Sequence, residues 1–140
     1  MPSRDELDKA FRDTVYEFDT PAGGARLRID EASAALAAVQ AALGVECSGL
    51  ITAWNPRSGP RPIADNEAVN GRLLARLAAL GFQAWPARHV ASQREWDERG
   101  FFVPGISLAQ LLELGREFDQ HAVLHAGDDS LPRIAWCHEG

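Results

Sequence analysis

Four polar side chains sit close together after an apolar run. GLITAW, residues 49 to 54, is followed by Asn55, Arg57, Ser58 and Arg61. Two arginines can clamp a phosphate or carboxylate through paired N–H groups, and an asparagine can orient it. The segment runs on into a helix whose first residues include Asp65 and Asn66, and helix N-termini favour anions. The plain alternative is a turn: Asn-Pro and Ser-Gly-Pro are turn formers, and Asn55 can bond its own loop backbone. A second candidate is Glu98, close to Trp96 in the run EWDERG. A carboxyl beside a large aromatic ring can have a raised pKa and act as general acid or base; otherwise it is one member of a solvated acidic turn. Gln120, at the end of a later helix, can support a loop or reach a site.

Other chemistries find less support. His121 and His125 are four residues apart in HAVLHAG, roughly 13 Å apart on an extended strand, too far for one metal ion. There is no CxxC, HExxH or GxSxG pattern and no P-loop or GxGxxG, so no metal, cofactor or serine nucleophile is expected.

The elements that must hold these residues follow from periodicity. Ser3 with Glu6 forms a capping box for a short helix over 4–12. TVYEFDT and ARLRID alternate on either side of PAGG and read as a hairpin. Asp30 is placed to cap a helix over 31–43, ended by Gly44. GLITAW is short and uniformly apolar, a buried strand. Asp65 or Asn66 caps the next helix, which turns Val69, Leu73, Leu77 and Leu80 inward until Gly81. FQAWPARHVAS reads as a strand bent at Pro86, SQREWDERG as a polar turn and FFVPGI as another strand. Ser107 and Gln110 open a last helix to about Asp119; HAVLHAG and PRIAWC are two closing strands.

The expectation is one α+β domain over 1–140, a mixed α/β sandwich. From residue 49 its elements follow the ferredoxin-like β-α-β-β-α-β order. A helix, hairpin and helix precede that order and an extra strand follows it.

Bulk composition narrows the function classes. With 46% hydrophobic and 24% charged residues the chain is globular rather than disordered. A net charge of −6 argues against nucleic-acid binding. Only residues 51–99 are net positive, with 7 basic against 5 acidic side chains. No apolar run reaches the roughly 20 residues of a membrane span, and the charged N-terminus lacks a signal peptide's apolar stretch. The expected setting is the cytoplasm, with no membrane partner.

The stretch ITAWNPRSGPRPIADNEAVNGRLLARL resembles the signature of DUF3293, a bacterial family of unknown function. Trp96, Glu98 and the following FFV resemble its tryptophan–x–glutamate segment. REFDQHAV resembles its F-x-Q-N-A segment, and the YEF strand precedes them at the expected distance. The resemblance spans about residues 14–136 and favours Glu98 within its acidic run. The sequence departs from the family pattern at Gly100, where Ser is usual, and at His121, where Asn is usual. Relatedness brings no activity with it.

Two functions remain in view. The favoured one is a non-catalytic binding module that takes a protein partner or a small anionic ligand at the 55–61 loop, with Asn66 and Gln120 beside it. The alternative is a small hydrolase or transferase on a phosphorylated or carboxylated metabolite, with Glu98 as base. Whether Glu98 comes within about 8 Å of Asn55 and Arg57 in a shared cleft separates them, since catalytic groups must converge.

Overall fold

The computed structural model describes residues 2–56, 59–91 and 97–138. Ser3 opens α1 (Arg4–Arg12), its hydroxyl accepting the Glu6 N–H. The expected hairpin follows, β1 (Val15–Thr20) and β2 (Gly23–Leu27), with Thr20 Oγ1 donating to the Gly23 carbonyl at 2.7 Å across the turn. Helix α2 (Ala34–Leu43) starts later than expected. Its cap is Ser33, because Asp30 is committed elsewhere: it adopts φ +63° and takes an ion pair from Arg12 at 2.6 Å.

Strand β3 (Ser48–Ile51) leads through the 52–62 loop to α3 (Ile63–Ala79). That helix begins at Pro62, not at Asp65 or Asn66, and has no side-chain cap. Proline is well suited to a helix start, where its missing N–H costs nothing. Asn66 thereby falls in the first turn and faces inward. The buried stripe of α3 is Asn66, Asn70, Leu73 and Leu77, whereas Leu80 is exposed.

Next come β4 (Trp85–Val90) and β5 (Glu98–Pro104). Strand β5 starts three residues before FFV, so Glu98 belongs to a strand and not to a polar turn. Helix α4 (Leu108–Glu117) has the expected capping box: Ser107 accepts from the Gln110 N–H, and the Gln110 side chain accepts from the Ser107 N–H. Ser107→Ala is expected to lower stability by about 1 kcal/mol, measurable by thermal or urea unfolding. Strands β6 (Ala122–Ala126) and β7 (Arg133–Trp136) end the described chain.

The seven strands form one sheet in the order β2-β1-β4-β5-β3-β6-β7, with every neighbouring pair antiparallel. From β3 to β6 the chain order is strand, helix, strand, strand, helix, strand. Each helical crossover steps over one strand, α3 over β5 and α4 over β3. Alternation along the central strands feeds two cores. Leu50, Phe102 and Leu124 point to one face and pack with Tyr16, Phe18, Leu36 and Val39. Ile51, Val103 and Val123 point to the other and pack with Leu73, Leu77, Leu111 and Leu114. Helices therefore cover both faces. Among the described residues no helix is long and apolar enough to cross a membrane.

Candidate active site

Antiparallel register creates a row of three titratable side chains. Tyr16 on β1 is the Cα partner of His89 on β4, and His89 is the partner of Glu98 on β5. Directly opposed residues in a sheet project to the same face, so the three side chains share one surface at one end of the sheet. The Tyr16 and His89 rings meet edge to face, centroids 4.8 Å apart. The Tyr16 hydroxyl donates to the Phe11 carbonyl at 3.1 Å, which ties the row to α1.

The ends of β3 and β6 lie at the same end of the sheet. A small cavity of ≈ 30 Å³ there is lined by Tyr16, Thr52, Asn55, His89, Glu98, Gln120 and His121 among its polar residues. Asn55 and Glu98, two of the three residues whose convergence would favour an enzyme, share this cavity. Arg57 and Ser58, like Trp96, lie outside the described residues. Arg61 is exposed and does not line the cavity; it reaches the site through its backbone N–H, which donates to Asn55 Oδ1 at 3.2 Å. Gln120 is a lining residue whose Nε2 also donates to the Phe118 carbonyl at 3.2 Å, so it braces the end of α4 as well.

Burial controls the ionisation of the row. The Glu98 carboxyl, partly buried at the cavity, is pushed up to about 8 by loss of hydration, while hydrogen bonding from the Asn55 side chain pulls the other way. Burial lowers His89 to about 4, so its imidazole is neutral at ordinary pH. The Tyr16 phenol is raised, by burial first and by the Glu98 charge second. Two ring nitrogens of lining residues, His89 Nε2 and His121 Nε2, are buried without a hydrogen-bond partner. Unsatisfied buried polar atoms are uncommon and costly, and here two of them converge on one cavity beside a carboxyl.

The loop after β3 is held by amides from α3. Asn55 has φ +46°, a left-handed conformation that asparagine tolerates better than most residues. Asn66 fixes it twice, accepting the Asn55 N–H at 2.9 Å and donating to Asn55 Oδ1 at 2.7 Å. One turn on, Asn70 accepts the Ala53 N–H and donates to the Arg99 carbonyl, each at 2.9 Å. With its oxygen occupied from the loop side, Asn55 turns its donor end to Glu98. Asn66 is only 1% exposed, so its contribution in this geometry is to hold Asn55.

Sequence reasoning placed Asn55, Glu98 and Gln120 among the candidates and missed Tyr16 and His89. Neither lies near Glu98 in the chain, and only strand register brings them together. An amide pair at 66 and 70, in line with Leu73 and Leu77, was the visible signal for the loop anchor. Across β5 a separate groove of ≈ 430 Å³ is lined by Trp54, Glu67, Arg88 and Arg99. Its charges are already paired: Arg99 with Glu67 at 3.4 Å and Arg88 with Asp97 at 3.3 Å.

No curated protein and no solved structure matches the chain. The family model described as "Protein of unknown function (DUF3293)" matches residues 51–123. That span holds every polar cavity residue except Tyr16. Covering over half of the chain and the centre of its sheet, the match makes this protein a member of the DUF3293 family.

Proposed function

We propose that this chain is a small acid–base enzyme, a hydrolase or transferase, in which Glu98 exchanges a proton with the substrate. The observation that carries the reading is the convergence of Glu98, Asn55 and two unpartnered imidazoles in one cavity. A proton-transfer group works best when its pKa lies near the operating pH, and burial brings Glu98 into that range. His89 and His121 supply hydrogen bonds to the reacting group, and Asn55 positions and tunes the carboxyl. The lining contains no lysine or arginine among the described residues. A phosphate or carboxylate on the substrate therefore stays outside the cavity, towards Arg61.

The test is a screen of the purified chain against ester, amide, phosphoester and group-transfer substrates, read by NMR. Wild type is expected to turn over at least one of these classes, with a rate that follows a single ionisation near 8. A rate that falls above that pH makes Glu98 the acid, and one that rises makes it the base. Glu98→Gln is expected to abolish the turnover while keeping the wild-type circular dichroism. Turnover retained by Glu98→Gln, or none in wild type across the panel, overturns the proposal.

A further inference from the structure

Among the described residues the cavity lining holds one carboxyl, two unpartnered ring nitrogens and no lysine or arginine, which points to the kind of group that fills it. His89 comes from β4, Glu98 from β5 and His121 from the residue preceding β6, so three separate parts of the chain each bring one carboxyl or imidazole to a common space. His89 is only 8% exposed, lines the cavity, and has its Nε2 buried without a hydrogen-bond partner. A neutral imidazole with its proton on Nδ1 presents Nε2 as an acceptor. The remaining titratable group of the row is Tyr16, whose hydroxyl donates to the Phe11 carbonyl; from α1, Phe11 joins the lining.

Among the described lining residues no lysine or arginine would offset an anion placed in this desolvated space beside a carboxyl, which disfavours one. The cavity volume of ≈ 30 Å³ has room for a small group such as an ammonium.

We propose that the Glu98 cavity takes the protonated amino group of a primary amine, its three N–H donors pointing to the Glu98 carboxylate, His89 Nε2 and His121 Nε2. The site's charge then closes: one ammonium against one carboxylate, with two imidazole ring nitrogens completing the shell. Because burial favours the protonated acid, binding of the ammonium displaces the Glu98 proton to solvent. Once seated, the ammonium can return a proton to Glu98, leaving a neutral amine and a carboxylic acid; this is the step that would make an amine nucleophilic. The inference rests on the cavity being the working site of the proposed enzyme and names the group that enters it.

Methylammonium is the probe, with acetamide as neutral control and inorganic phosphate as anionic control. Carboxyl and imidazole NMR signals are followed at neutral pH, and proton release is measured by calorimetry in buffers of different ionisation heat. Methylammonium is expected to shift Glu98, His89 and His121 saturably and to release close to one proton. Glu98→Gln is expected to weaken it by roughly tenfold to a hundredfold, and His121→Ala to weaken it less. Stronger shifts from acetamide or phosphate, or proton uptake on binding, overturn the inference. So does an unmoved cavity, even if Glu98-dependent turnover of amine-free substrates is found; in that case the enzyme reading stands alone. Methylammonium binding with proton release but no turnover in the screen leaves an amine-binding site and removes the enzyme.

Discussion

Glu98→Gln is expected to stabilise the folded chain by about 3–5 kcal/mol above about pH 8 and to change little below about pH 4.5. The carboxyl ionises near 8 in the folded chain and near its usual 4.5 when unfolded. Between these values the folded state holds a proton that the unfolded state has released. Stability therefore falls as pH rises from about 4.5 to about 8 and then levels off. Gln has nearly the same shape and never ionises, so it removes that slope. His89 acts in the opposite sense. It ionises near 4 when folded against a usual 6.5, so the unfolded chain takes up a proton first as pH falls, and stability is lost from about 6.5 down to about 4. This costs about 3 kcal/mol. Wild type is thus expected to be most stable between about 4.5 and 6.5, where the two slopes cancel. Urea unfolding across the pH range measures both limbs. Glu98→Gln should keep the acid limb and lose the alkaline one; parallel curves for the two proteins would show that Glu98 ionises normally.

A buried carboxyl that costs the fold stability is informative because folding does not require it. The row Tyr16, His89, Glu98 could be filled by apolar side chains that would pack with Phe18 and Phe102, whose rings already stack at 3.8 Å on the same face. Gly100 makes the same point from the other side. A Cβ there would lie 2.6 Å from the Ile51 carbonyl and 3.1 Å from His89 Nε2. The main chain is thus drawn in close beside the imidazole, and Gly100→Ala would push it away.

Much of the fold was legible in the chain. Local caps placed α1 and α4, because Ser3 and Ser107 bond within their own first turns and depend on nothing distant. Alternation placed the hairpin for the same reason. What failed was local chemistry overridden by tertiary demand. Asp30 is a good cap in isolation, yet Arg12 claims its carboxylate. Asp65 and Asn66 look like caps, yet the loop needs the Asn66 amide inside. EWDERG reads as a turn by polarity, yet Glu98, Arg99 and Gly100 pair with His89, Arg88 and Ala87. The site was half legible. Asn55 and Glu98 were visible as residue types, but the proximity of Glu98 to His89 and Tyr16 is a property of register, which no run of residues records.

Asn66→Ala is the second large effect, an expected loss of about 2–4 kcal/mol. Three hydrogen bonds end on this one buried amide: from the Asn55 N–H, to Asn55 Oδ1 and, at 3.4 Å, to the Arg61 carbonyl. Alanine leaves the Asn55 N–H without its partner in a part-buried loop and removes one of the two donors to Asn55 Oδ1. Asn55 itself sits at φ +46°, a conformation that persists only when its surroundings hold it. Once freed, its amide no longer steadies the Glu98 carboxylate, so Glu98 should ionise at still higher pH than in wild type. Loss of stability alone would follow from any buried amide. The coupled rise in the Glu98 titration, followed by carboxyl NMR, is specific to the chain from Asn66 through Asn55 to Glu98. Ser107→Ala, remote from the cavity, should lower stability modestly and leave that titration in place. If Asn66→Ala weakens the fold and the Glu98 titration stays where it was, the 55–61 loop serves only as a turn, and the tuning of Glu98 by Asn55 has to be abandoned.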